Sequence, residues 1–134
     1  MRFSAAEALD ASGVDRRVLA EALPDVDPST VPVYAASRWF RMLWASRITA
    51  VAMPWGIYVH PDRLGVTLST LGPLMVHELT HLQQWRRLGP LRWARVYFGD
   101  YLRGRRSGLD HHAAYRGISF EVEARDVAAR IASA

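Results

Sequence analysis

The chain has 134 residues, 50% hydrophobic and 22% charged, enough to bury one core and too apolar and aromatic for a disordered chain. It has no cysteine, which excludes disulfide scaffolds, thiol nucleophiles and Cys-ligated metals, so any metal must be held by His, Asp or Glu. All 17 cations are arginines and the net charge is +4, a basicity that permits contact with nucleic acid or an anionic surface without demanding it.

Arg2 is followed by Glu7 and Asp10 before any apolar run, which argues against a secretory signal. The most apolar stretch, Trp39 to Val59, is interrupted by Arg41, Arg47 and Pro54, and crossing a bilayer takes about 20 clean apolar residues. A soluble, cytoplasmic protein is expected. Ser4 to Glu7 has the spacing of a capping box, in which the hydroxyl and the carboxylate satisfy free N–H groups reciprocally. Gly13 can close that first helix, and a second runs from about Asp15 to Leu23, ended by Pro24. Residues 1–30 carry three arginines against six acids, a balance that speaks against a helix-turn-helix on DNA. They read as an N-terminal helical extension. Asp25 to Pro32 links it to a core over 33–134, within a single domain.

The spacing of Trp39, Phe40, Leu43 and Trp44 predicts a helix from Val33 to about Trp44. Arg47 to Ala52 and Trp55 to His60 read as strands joined at Met53 to Gly56, and Leu64 to Ser69 as a third. Gly72-Pro73 and Gly89-Pro90 bracket a helix from Pro73 to about Leu88. Another helix spans about Leu91 to Leu102, a basic loop covers Gly104 to Asp110, and a last helix runs from Ser119 to Ala132. The expected class is α+β, mostly helical, with a small antiparallel sheet beside the Pro73–Leu88 helix.

That helix carries His77-Glu78-Leu79-Thr80-His81. Residues four apart stack on one helix face, so both histidines can grip one ion. Glu78 lies about 100° further round, within reach of a water on that ion. Met75, Leu79 and Leu82 cluster opposite the histidines, while Leu74, Trp85 and Leu88 flank them. Polar residues are confined to a strip of Thr80, Gln83, Gln84 and Arg87. A helix so apolar is central and buried, and its histidines and glutamate then need partners, which a metal supplies.

On these residues the chain resembles the zincins, metallopeptidases built on an HExxH helix. The resemblance covers the strand pair, the HExxH helix and the later glutamate-bearing helix, about residues 47–134, and it is similar to minimal zincin-like domains of bacteria whose function is unknown. Gln84 and Arg87 stand where the metzincin branch needs Gly and His. The gluzincin-like branch remains, and it takes its third ligand from a Glu on a later helix. Only Ser119 to Asp126 can match. Glu121 and Glu123 both border the apolar stripe of Phe120, Ala124, Val127 and Ile131, so the helical wheel does not choose between them. The branch's small residue three positions after the ligand favours Glu121, followed by Ala124. Glu123, His111 and His112 are the alternatives, and an ion pair with Arg125 is the plainer role for Glu121. The resemblance implies Zn²⁺ held by His77, His81 and Glu121, with Glu78 as general base and Tyr115 as a donor to the oxyanion. The substrate would be a peptide or protein, paired with the strand Trp55 to Val59.

From 86 to 106 the chain holds seven arginines and one acid, Asp100. Trp93, Ala94, Tyr97, Phe98, Tyr101 and Leu102 fall on one side of the helix; Arg92, Arg95 and Arg103 fall on the other. Such a helix ordinarily faces its own core, and it can also dock on a membrane or a protein partner. Nucleic acid is not expected. Two other readings of the whole chain stand beside the peptidase: a structural or interaction domain whose zinc ties helices together without turnover, and a basic membrane- or nucleic-acid-associated module.

Overall fold

Ser4 caps the first helix as its spacing predicts. Its Oγ accepts from the Glu7 N–H at 3.3 Å, and Glu7 Oε2 accepts from the Ser4 N–H at 2.7 Å. The computed structural model describes residues 2–44, 48–64 and 68–132. Strand β1 (Arg2–Ser4) leads into α1 (Ala5–Ala11), and Asp15 caps α2 (Arg16–Ala22). Then follow β2 (Pro32–Ala35), the single turn α3 (Arg38–Arg41), the hairpin β3 (Ala50–Met53) and β4 (Gly56–Val59), and the short α4 (Pro61–Leu64). The rest is helical: α5 (Gly72–Leu88), α6 (Pro90–Arg106), α7 (His111–Arg116) and α8 (Ser119–Ala132).

The fold is α+β, as expected. Its sheet is mixed, in the order β1-β2-β4-β3, with β2 parallel to β4 and the outer pairs antiparallel. The difference comes from β2. Residues 33–44 do not form the expected helix: Val31 and Val33 are buried while Pro32 and Tyr34 are half-buried. That alternation is the period of a strand, and proline is tolerated at a strand's first residue. Ser37 then caps only one turn, leaving Trp39 and Leu43 exposed. The expected third strand is absent at its described ends, where Leu64 closes α4 and Leu68–Thr70 is a 3-10 turn. Its middle lies outside the described residues.

Residues 2–30 are built into the core and do not form an extension. β1 pairs with β2, and Ala5, Ala8, Leu9 and Leu19 are buried with Val33, Ile57 and Val59 of the sheet. This segment supplies both a strand and apolar faces that the rest of the chain needs. Three sides of α5 are covered. Met75, Val76, Leu79 and Leu82 are buried, and α8 packs along α5 through Ala124, Val127, Ala128 and Ile131. The two alanines, lacking a Cγ, let the helices approach closely. α6 contributes no buried residue. No helix among the described residues is long and apolar enough to cross a membrane.

Gly72 starts α5 where α1 ends, and a Cβ there would lie 2.7 Å from the Ser12 Cβ. Overpacking of this kind costs about 1–3 kcal/mol. Gly72→Ala is therefore expected to lower the melting temperature by roughly 5 °C, read by circular dichroism; an unchanged melt would show that α1 yields at no cost.

Candidate metal centre

α5 presents His77 and His81 one turn apart, their ring centroids 5.0 Å from each other. α8 brings Glu121 between them. His77 Nε2 lies 3.0 Å from Glu121 Oε1, and His81 Nε2 lies 3.2 Å from Glu121 Oε2. One ligand atom from each of the three residues falls within 4.8 Å of the others. A tetrahedral ion bound at about 2.0–2.2 Å to N and O sets its ligands roughly 3.5 Å apart, so this group is close enough to bind a metal ion. The donor set, two imidazoles and a carboxylate, suits a divalent transition metal.

Supporting groups hold each ligand. Gln84 lies one turn beyond His81 and is fully buried. Its Nε2 donates to the Phe120 carbonyl at 3.1 Å and to Glu123 Oε1 at 2.9 Å, which fixes the amide's orientation. Its Oε1 must then accept, and it lies 2.9 Å from His81 Nδ1. His81 therefore carries a proton on Nδ1 and turns Nε2 toward the site. Trp93 of α6 donates to the same Oε1 at 3.2 Å. Tyr97, also on α6, donates to Glu121 Oε2 at 2.7 Å. Tyr115 of α7 stands half-buried beside these groups. Burial, then the nearby carboxylate charge, pushes both phenols above their ordinary value, so both are O–H donors.

Electrostatics follow from this packing. Burial raises the pKa of Glu121, but hydrogen bonds with His77, His81 and Tyr97 outweigh it and hold the carboxyl well below the usual range. Burial likewise disfavours the His81 imidazolium, yet Glu121 and Glu78 outweigh it and raise its pKa to about 9. Glu78 is buried, and desolvation raises its pKa above the carboxylate norm although it accepts from the Ala52 N–H of β3.

A cleft of about 890 Å³ opens over the group, lined by His77, Glu78, Glu121, Tyr97 and Tyr115. His81 lies deeper, with its side chain 9% exposed against 20% for His77. Of the alternatives for the third ligand, Glu123 is bonded to Gln84, and His111 is exposed with its Nδ1 on the Tyr101 hydroxyl at 2.7 Å. His112 lines the outer cleft. Arg125 donates to the Arg116 carbonyl, so it does not take Glu121 into a surface pair. The expectation that Trp55 to Val59 receives a peptide is corrected, because β4 is paired on both sides. The edge strands are β1 and β3, and it is β3 whose Ala50 lines the cleft.

Sequence reasoning missed Gln84 and Tyr97. Gln84 stands three residues after His81, a helical neighbour spacing that hints at a supporting role. Nothing in the sequence marks Tyr97 apart from its place among aromatics. Compared with known proteins, the chain matches no family model, no curated protein and no solved structure.

Glu121→Ala removes one of three donors and is expected to lower affinity for Zn²⁺, used as a probe, by orders of magnitude. Gln84→Ala should lower it about 10–100-fold by freeing the His81 ring, and Glu123→Ala by less, because Gln84 keeps the Phe120 carbonyl. Competition with a chromogenic chelator measures all three; equal affinity in Glu121→Ala and wild type would exclude the group. Metal uptake must also displace the proton that His81 shares with Glu121. Affinity should therefore rise with pH up to about 9, with proton release visible by titration in buffers of different ionisation enthalpy.

Proposed function

We propose that the chain is a zinc-dependent peptidase domain of the zincin kind, gluzincin-like in drawing its third ligand from a later helix. The observation that carries this reading is Glu78. It is buried next to a His-His-Glu group, is bonded to none of the three, and lines the same open cleft. A metal that only ties helices together is enclosed by protein ligands, whereas a catalytic one keeps an open side. The exposure of His77 toward the cleft supports the second arrangement.

His77, His81 and Glu121 would hold the ion. Zn²⁺ bound there supplies Lewis acidity and a water acidic enough to ionise near neutral pH. Glu78 takes the proton of the water that attacks the peptide carbonyl and passes it to the leaving amine as the C–N bond breaks. Tyr115 donates to the developing oxyanion, while Tyr97 keeps Glu121 in place. The substrate lies extended along the outer edge of β3, pairing with the main-chain groups that Glu78 does not occupy.

Glu78→Gln keeps the shape of the side chain and removes the base. It should retain near-stoichiometric zinc by elemental analysis and lower kcat on a quenched-fluorescence peptide library by about 10²–10⁴. Equal turnover in Glu78→Gln and wild type would overturn the mechanism. A zinc-loaded wild type that cleaves no peptide in the library would favour the structural-zinc reading.

A further inference from the structure

α6 presents an apolar stripe that the fold leaves bare. Leu91 is 87% exposed, Phe98 59% and Leu102 50%. At 100° per residue these three fall within about 40° of one another on the helix, so they form a line and not a scatter. Trp93 and Tyr97 occupy the opposite side, packed toward His81, Trp85 and Phe120. The bare stripe is therefore not the face that holds α6 to the protein.

Cations surround it. Arg95 and Arg106 lie about 40–60° to one side of the line, with Arg92 and Arg103 beyond them, and Arg105 lies about 40° to the other side. All five are exposed. Among the described residues only Arg103 of the five is ion-paired, to Asp100. Asp100, the single acid of the helix, lies on the far side and caps the start of α8 by accepting from the Ser119 N–H. An exposed line of Leu, Phe and Leu flanked by unneutralised arginines matches the two layers of an anionic lipid surface. The apolar side chains enter the acyl boundary, and the guanidinium groups stay among the phosphates.

We propose that α6 seats this protein on an anionic membrane surface, lying flat along its 17 residues. A second copy is a poor occupant, because symmetric pairing of two such faces would set arginine against arginine. Nucleic acid would meet the arginines but gives the apolar line nothing to bury against. Phe98 also lines the cleft, so a seated α6 places the cleft's mouth at the lipid surface. The inference does not rest on the metal chemistry.

The test is cosedimentation of the full chain with vesicles of phosphatidylcholine alone or with about 30% phosphatidylserine. Binding is expected to the anionic vesicles and not to the neutral ones. Leu91→Gln/Leu102→Gln should weaken it at least about tenfold, and Arg92→Gln/Arg95→Gln/Arg106→Gln on the order of a hundredfold. These positions are exposed, and circular dichroism checks that each variant is folded. No binding to anionic vesicles would overturn the proposal. So would full binding by the leucine variant, since the attraction would then be only charge. A dimer that the leucine variant dissociates, without vesicle binding, would assign the stripe to a second copy instead.

Discussion

A carboxylate held between two imidazoles inside a helical core is the constraint on which this structure turns. Glu121 is 3% exposed, and an unpaired charge at such depth would cost several kcal/mol. The fold answers with two histidines from α5 and a tyrosine from α6, all converging on its oxygens. Moving any of these helices would strand a buried charge. The site is thus also a clamp, and the polar group that would otherwise weaken the core specifies how its helices sit.

α5 serves two masters through its periodicity. One face is a row of apolar side chains buried against the sheet, α1 and α8; another carries the ligands. Its two adjacent glutamines extend the same division. Gln83 joins α5 to the chain before β2, accepting from the Asp25 N–H at 2.8 Å and donating to Asp25 Oδ2 at 2.8 Å. Gln84 points the other way and joins α5 to α8 and to the His81 ring. A buried amide has both donor and acceptor capacity to satisfy, so each glutamine fixes the register of α5 against a different neighbour.

α6 differs in kind. It touches the core with aromatic rings, closes one wall of the cleft with Tyr97 and Phe98, and leaves its remaining apolar side chains to the outside. The expectation that this helix faces its own core is true of Trp93 and Tyr97 and fails at Leu91 and Leu102. Its amphipathic pattern is broader than the surface available to cover it. Hydropathy alone cannot tell a face that meets the protein from one that meets something else.

The sequence by itself determined the elements that depend on local rules. The capping box at Ser4, the proline and glycine that bracket α5, the span of α8 and the hairpin between β3 and β4 are all set within a few residues of chain. His77, Glu78 and His81 were legible because a helix places them by spacing alone. Tertiary structure decided the rest. Glu121 and Glu123 are equivalent on a helical wheel, and only the packing of α8 on α5 directs one to the histidines and the other to Gln84. β2 takes its conformation from strands on either side that lie far off in sequence, so its apolar residues read equally well as part of a helix. β4 lost its free edge to that same pairing. Such choices rest on contacts between distant segments, and a short apolar run carries no record of which neighbour it will meet.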